Sequence, residues 1–505
     1  MNISTWIDKN AKFSPNKIAI HFQDQSISYR ELAKQISRVA DMLQHHLHIK
    51  KGDRVGILSY NRVEYLTLLF ACARIGAIYN PLNWRLAVPE LTYIVENAGL
   101  KALFVEEELN QIEAGVIEKM PDCTLVGFDY RPTEGWLWET LMANETHESE
   151  SIGQLDDPLM LVYTSGTTGR PKGAVLTQSN LLWNAANAVH MQNLSASDHA
   201  LTGLPLFHVG GLNNQTTPIF YVGGTVTLHA RFHPVATMEA IQTGRPTVTC
   251  LVPATMAACI ATPHWEETDF SNLRLNVTGS TLVPTHLSDQ FREKGIAVLE
   301  MYGLTETAPV SVYHRPDSDF SKPGSTGLPG LHTDIRIVDL DGNDLLAMQE
   351  GEVLIKGPNV MQGYWNNPKA TAAAFDGEWF RTGDIGYRDQ DGYLYIKDRK
   401  KNMIISGSEN IYAAEVERVI YEHPAVAECA LIGRPDPKWG EIPVAIIAPQ
   451  PDQTLDEETV RSFMDGRLAR YKLPKAYVFV DQLPKNAMGK IQHFILRDQY
   501  GTGFS

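Results

Sequence analysis

The stretch Tyr163-Thr164-Ser165-Gly166-Thr167-Thr168-Gly169-Arg170-Pro171-Lys172-Gly173 gathers hydroxyls, flexible backbone and cationic side chains into one turn. It follows the apolar run Leu159-Met160-Leu161-Val162 and precedes Ala174-Val175-Leu176, so the pattern predicts a loop between two buried strands. Glycines at 166, 169 and 173 let backbone N–H groups approach an anion, Ser and Thr hydroxyls donate to phosphate oxygens, and Arg170 with Lys172 supplies charge. Gly, Ser, Thr and Pro clusters are often only surface linkers, but the flanking strands and the cations weigh for a phosphate cradle. A Walker loop is excluded, because Lys172 is followed by Gly173 and a strand rather than by a Ser or Thr opening a helix.

On either side of this loop, helical and strand patterns alternate. Ser28 and Glu31 form a capping-box pattern ahead of Leu32, Ile36, Val39, Ala40, Leu43 and Leu47, which share one helical face. Residues 55–58 read as a strand, 63–75 as a helix, Ile78 and Tyr79 as a strand end, and 103–105 as the next strand. This is an α/β pattern with mostly parallel pairing. After about residue 350 the texture shifts to shorter strands and polar turns, including Asp389-Gln390-Asp391-Gly392 as a hairpin turn. The last hundred or so residues read as a small α+β unit, with strands at 426–432 and 442–448 and helices covering 416–420 and 460–468. The predicted domains are 1–397 and 398–505, with the boundary at Asp398.

At 505 residues the chain exceeds what one core supports, which agrees with two domains. A net charge of −15 argues against general nucleic-acid binding and requires anionic ligands to be met by local cationic patches. The cysteines Cys72, Cys123, Cys250, Cys259 and Cys429 are scattered and lack C-x-x-C spacing, which points to reduced thiols and a cytoplasmic setting. No signal peptide or membrane span is read, since the apolar run around Leu68 to Ile78 is interrupted by Arg74. Transient membrane contact and a homodimer are left open.

Three further motifs carry chemistry. Met301-Tyr302-Gly303-Leu304-Thr305-Glu306-Thr307 sets a carboxylate and two hydroxyls in a turn after an apolar run, a donor set that suits Mg²⁺ beside nucleotide phosphates. Phe380-Arg381-Thr382-Gly383-Asp384 lies between Trp379 and Tyr387, and an Asp accepting from two adjacent hydroxyls suits a ribose. Leu483-Pro484-Lys485-Asn486-Ala487-Met488-Gly489-Lys490-Ile491 presents a lysine after a glycine turn.

Together with the loop, these motifs resemble, in order and over nearly the whole chain, those of the acyl-adenylate-forming enzymes: acyl-CoA synthetases, peptide-synthetase adenylation domains and firefly luciferase. The resemblance implies that Thr164, Ser165, Gly166, Thr167, Thr168, Gly169 and Lys172 hold ATP phosphates, with Gly279, Ser280, Thr281 and Tyr302 near the adenine. It implies Glu306 at Mg²⁺, Thr305 at the α-phosphate, and Asp384 with Arg399 at the ribose. Lys490 matches the lysine that bridges the substrate carboxylate and the α-phosphate. Asp398 matches the pivot, and Gly407, Ser408 and Trp439 the thiol channel, where Ser408 replaces the second glycine usual in the family.

The implied reaction forms acyl-AMP and pyrophosphate from a carboxylate and ATP, then a thioester with CoA. Pro437-Lys438-Trp439-Gly440-Glu441 resembles free-standing acyl-CoA synthetases. Loading of a carrier protein and an inactive nucleotide-binding regulator are the competing readings. By position, His208, Gly210, Gly211, Met301 and Gly303 belong to the acyl pocket. Gly210 and Gly211 open space there, Met301 partly closes it, and no cation is conspicuous. These features favour an apolar monocarboxylate, a medium- or long-chain fatty acid ahead of an aromatic acid.

Overall fold

Pro158–Thr164 and Lys172–Thr177 are strands, as their apolar runs predict, and they pair antiparallel with Val162 opposite Ala174 and Thr164 opposite Lys172. The loop between them is too short for a crossover, so this pair departs from the parallel rule. Their sheet has eight strands, in the order Gly363–Tyr364, Lys172–Thr177, Pro158–Thr164, Ile78–Pro81, Arg54–Leu58, Ala102–Val105, Thr124–Gly127 and Gly135–Leu137. From Pro158–Thr164 onward its pairs are parallel.

A second sheet, of nine strands, is built around the parallel set Ala297–Tyr302, Leu275–Thr278, Val248–Cys250, His199–Thr202, Thr225–Leu228 and Ile18–Phe22. Residues of both sheets enter one core, among them Tyr79, Leu159 and Met160 from the first and Ala200, Val226 and Leu275 from the second. Val63–Ile75 runs in that core and is buried at every position but Glu64, which explains its apolar sequence. The Tyr29–Asp41 helix begins with the predicted capping box, Ser28 N–H donating to Glu31 at 2.8 Å.

The computed structural model describes residues 1–144, 149, 151–164, 171–279, 283–318, 321–406, 409–485 and 491–501. The chain divides into two compact units, Met1–Ile335 with Ile355–Phe380, and Arg336–Leu354 with Arg381–Ser505. The second contains the hairpin at Asp389, where Tyr393 N–H donates to Asp389 Oδ1 at 2.9 Å and Gly392 takes φ +89°. Its main sheet is centred on Val426–Asp436 and Gly440–Pro449, paired antiparallel over their length. Alternation along Val426–Asp436 sends Cys429 and Leu431 toward helices Ala413–Tyr421 and Glu457–Met464, and Ala430 and Ile432 toward Leu496 of His493–Tyr500. The helix predicted to reach 468 stops at Met464, because Asp465 is extended and Gly466 takes φ +74°.

Among the described residues no helix is long and apolar enough to cross a membrane. All five cysteines are free and buried.

Candidate active site

Within the first unit the site is assembled on the Lys172–Thr177 strand. Lys172 opens that strand, and its Nζ stands 5.2 Å from the ring centroid of Tyr364. The Tyr364 hydroxyl donates to Glu306 Oε1 at 2.9 Å, so one aromatic side chain links the Lys172 cation to the carboxylate of the Met301–Thr307 motif. Tyr364 reaches this position because Gly363–Tyr364 pairs with Val175 and Ala174, while Gln362 and Trp365 N–H groups donate to Val175 and Gly173 carbonyls. Gly363 takes φ +150°, and a Cβ there would lie 2.7 Å from Thr371. Sequence reading missed Tyr364; the signal was Gly363-Tyr364-Trp365, a glycine followed by two aromatics.

Glu306 is 8% exposed and sits in the turn Thr305–Thr307, held at its carbonyl by Met361 N–H at 2.7 Å. The Thr307 hydroxyl accepts from Leu304 N–H, and Asn359 donates to the Thr307 carbonyl at 2.7 Å. These bonds fix the carboxylate before any ligand arrives. No group of three metal-ligating side chains gathers among the described residues. A single buried carboxylate beside hydroxyls suits Mg²⁺ carried in on nucleotide phosphates rather than a resident metal caged by protein.

The turn and the Tyr364 segment are both held by one face of the Gln178–Gln192 helix. Asn180, Asn184 and Asn187 are buried at helical spacing. Asn180 donates to the Pro358 and Val360 carbonyls, each at 2.8 Å. Asn184 accepts from Val310 N–H at 2.8 Å and donates to the Asn213 carbonyl at 2.8 Å. Asn187 donates to the Val310 carbonyl and Thr333 hydroxyl and accepts from His332 N–H, all at 3.1 Å. Nothing in a hydropathy pattern marks such a face, because its partners are loop carbonyls far away in sequence.

The predicted acyl-pocket residues lie toward the carboxyl ends of the second sheet's strands. His208 Nδ1 accepts from Gly210 N–H at 3.0 Å, which leaves the ring proton on Nε2. Burial, with the charge of Arg85 nearby, lowers this imidazole to about 4, so it is neutral at physiological pH. Arg85 lies over Trp84 at 4.8 Å and Phe207 at 5.8 Å, so a cation does stand near His208, contrary to the sequence reading. It escaped notice because Arg85 and His208 are far apart in the chain. At Gly210 the imidazole takes the place a side chain would need, a Cβ there meeting His208 Nδ1 at 2.9 Å.

Gly211 does not open space. Its Cβ would fall 2.2 Å from the Pro205 carbonyl oxygen, and at Gly303 the Pro309 carbonyl oxygen would be 1.5 Å away, so close backbone packing fills both places. Gly279 lies against Met301, whose Cγ would be 3.3 Å from an added Cβ, and Met301 is 8% exposed. Tyr302 and Thr305 are half-buried beside these groups in sequence. A cavity of about 550 Å³ opens elsewhere in this unit, lined by Gln25, Arg62, Glu106 and Trp138, and contains none of the predicted site residues.

Within the second unit, Asp384 and Arg399 face each other across the Trp379–Arg388 and Leu394–Arg399 pair, Arg399 Nε to Asp384 Oδ1 at 2.6 Å. Asp384 is 3% exposed, with its N–H donated to the Thr382 hydroxyl. Asp398 accepts from Ala414 N–H at 2.8 Å, which caps the Ala413–Tyr421 helix, whose N-cap residue Tyr412 does not cap it through its side chain. Burial raises the Asp398 carboxyl above its ordinary range, against the opposing pull of these N–H donors. Trp439 is 45% exposed at the tip of the long hairpin, with Lys438 Nζ 4.7 Å from its ring centroid. Ser165, Gly166, Thr167, Thr168, Gly169, Arg170, Ser280, Thr281, Leu282, Gly407, Ser408 and Lys490 lie outside the described residues.

Residues 7–365 match the AMP-binding enzyme family, and residues 415–490 match the AMP-binding enzyme C-terminal domain. The chain is 46% identical to an indoleacetate–CoA ligase of Aromatoleum aromaticum, over 97% of each chain. It is 37% identical to a long-chain-fatty-acid–CoA ligase of Mycobacterium tuberculosis, over 99% of each. The structure superposes with a TM-score of 0.88 on o-succinylbenzoate CoA synthetase of Bacillus subtilis in complex with its acyl-adenylate, at 34% identity and 98% coverage of both chains. The chain therefore belongs to the AMP-binding enzyme family, as an ATP- and CoA-using acid–thiol ligase of its acyl-CoA synthetase branch.

Proposed function

We propose that this enzyme activates an aromatic acid of the arylacetate class to its acyl-AMP and transfers the acyl group to CoA. The observation that carries this reading is the 46% identity to an indoleacetate–CoA ligase, against 37% to a long-chain-fatty-acid–CoA ligase at similar coverage. It replaces the fatty-acid preference drawn from the sequence and adopts the aromatic alternative. Two features of the pocket support it. A planar neutral imidazole rather than an alkyl side chain packs against Gly210, and the Gly211 opening that favoured a long chain is filled by backbone.

A carboxylate is a poor electrophile, because its carbon carries delocalised negative charge. Activation makes oxygen a leaving group: the carboxylate oxygen attacks the α-phosphorus of ATP, pyrophosphate departs, and a thiol then attacks the acyl carbon with AMP leaving. Lys172 and Lys490 offset the charge that builds on the phosphate oxygens, with Thr305 donating at the α-phosphate. Mg²⁺, when bound, would neutralise phosphate charge beside Glu306. Tyr302 packs against adenine, and Asp384, oriented by Arg399, accepts from the ribose hydroxyls. His208 borders the acid as a neutral donor, and Trp439 and Ser408 belong to the thiol channel. Domains 1–397 and 398–505, with Asp398 as pivot, are the proposed moving parts.

The test is CoA-dependent AMP release from a panel of indole-3-acetate, phenylacetate, ferulate, benzoate, octanoate and palmitate. The expected outcome is a kcat/KM for an arylacetate about tenfold or more above octanoate. Equal or better turnover of octanoate or palmitate would overturn the substrate assignment. Pyrophosphate release without thioester formation would overturn the CoA step.

A further inference from the structure

We infer that the Asn214 carboxamide is a hydrogen-bonding subsite for an N–H or O–H group carried on the aromatic ring of the acid. This rests on the arylacetate reading above. The turn Leu212–Thr216 places Asn213, Asn214, Gln215 and Thr216 in succession in the protein interior, where polar side chains are costly unless they are bonded.

Their neighbours give most of these side chains structural work. Asn213 Oδ1 accepts from the Thr217 hydroxyl, Gln215 donates to Gln192 and to the Thr249 carbonyl, and the Thr216 hydroxyl donates to the Gly211 carbonyl. Asn214 differs. Its carbonyl on the main chain is held by Gln192 at 2.8 Å, but its side chain reaches only the Cys250 sulfur, at 3.5 Å, a weak acceptor. Asn214 Oδ1 is sealed from solvent and has no hydrogen-bond partner among the described residues. The amide stands with Nδ2 on the thiol and Oδ1 idle, so the group that completes it is a donor; with its two ends exchanged Nδ2 would be idle and an acceptor would be called for instead.

The position is that of the acyl pocket. Asn214 Nδ2 lies 3.9 Å from where a Cβ of Gly210 would stand, and Gly210 adjoins His208. Cys250 ends one strand, and the adjacent strand ends at Thr278, whose hydroxyl is likewise buried and unpartnered among the described residues, just before Gly279 and its neighbour Met301. A side chain that is 93% buried, costly and idle in the free protein gains its partner when a ligand supplies one. An alkyl chain has no donor to offer, and a second carboxylate would be repelled by the amide oxygen. A ring N–H or O–H supplies the missing bond while the ring covers the apolar surface around it.

The experiment compares indole-3-acetate with 1-benzothiophene-3-acetate, which has the same shape but carries sulfur in place of N–H, on the full-length enzyme and on Asn214→Leu and Asn214→Ser. The parent is expected to favour the N–H acid by about a hundredfold in kcat/KM, because a site built to bond a donor rejects the analogue lacking it. Asn214→Leu is expected to bring the ratio to within about threefold of unity, with the sulfur acid turned over as well as before or better, and Asn214→Ser to fall between. If the leucine variant fails to fold, the serine variant decides by the same ratio. A purely structural role would lower both rates and leave the ratio intact in the variants, and that result overturns the inference. Equal use of both acids by the parent also overturns it while sparing the arylacetate reading. Turnover of octanoate but neither ring acid removes that reading and the inference together.

Discussion

Glu306 is a carboxylate held almost wholly out of water by a turn, and Tyr364, its side-chain donor among the described residues, also lies under Lys172. Tyr364→Phe keeps the ring beneath the cation and removes only the O–H. A hydrogen bond to a charged group contributes about 1.5–3 kcal/mol, so the urea midpoint is expected to fall accordingly and kcat/KM about tenfold, with a raised Mg²⁺ requirement. Unaltered Mg²⁺ dependence would remove Tyr364 from the metal's surroundings. Glu300, on the same strand as Met301, is a different case, because burial raises its carboxyl to about 7 despite the charge of Arg292. The folded state thus holds the Glu300 proton more tightly than the unfolded chain, whose ordinary value is 4.5. That stabilisation is full below the unfolded value and is lost as pH rises through about 7. Glu300→Gln is expected to flatten the dependence and to be more stable than the parent at pH 8, on the order of 1–3 kcal/mol by urea denaturation. A parent whose stability does not change between pH 5 and 8 would contradict this.

At the scale of elements, the Gln178–Gln192 helix acts as a rack. Its three asparagines hold loops that carry Glu306 and Tyr364, and each amide replaces water that those carbonyls would otherwise bind. Asn187→Ala would leave the Val310 carbonyl, the Thr333 hydroxyl and His332 N–H short of a partner. With each buried orphan costing about 1–3 kcal/mol and some relief by rearrangement, a loss of about 2–4 kcal/mol is expected in urea denaturation. Activity at saturating substrate should fall with it, since the turn loses its support. A loss below about 0.5 kcal/mol would mean that water fills the place of the amide without cost. The apolar periodicity of this chain located the helix faces against the sheets, as with Leu32, Ile36, Val39 and Ala40, all buried. It was silent about the asparagine face, whose logic lies in partners that periodicity does not encode.

At the scale of the whole molecule, the proposed two-step chemistry separates by residue. Lys490→Ala is expected to abolish adenylation while leaving thioester formation from synthetic acyl-AMP largely intact, because a lysine at the meeting of carboxylate and α-phosphate has no task once that bond is made. Equal loss in both half-reactions would contradict the proposal of a lysine dedicated to one step. The sequence by itself determined the strands of the loop hairpin, the capped helix after Ser28, the buried 63–75 helix and the turn at Asp389, because each depends on local spacing and turn chemistry. It also determined the family, because order and spacing of motifs survive in one dimension. Only the tertiary structure decided that Gly211 and Gly303 are packed against carbonyls rather than opening space, that Arg85 stands by His208, and that Tyr364 joins Lys172 to Glu306. It alone revealed the idle amide of Asn214. The physical reason is common to all four: burial and hydrogen-bond partnership are properties of neighbours in space, whether a nearby carbonyl, as at Gly211 and Gly303, or a side chain brought from afar by strand pairing, as with Tyr364.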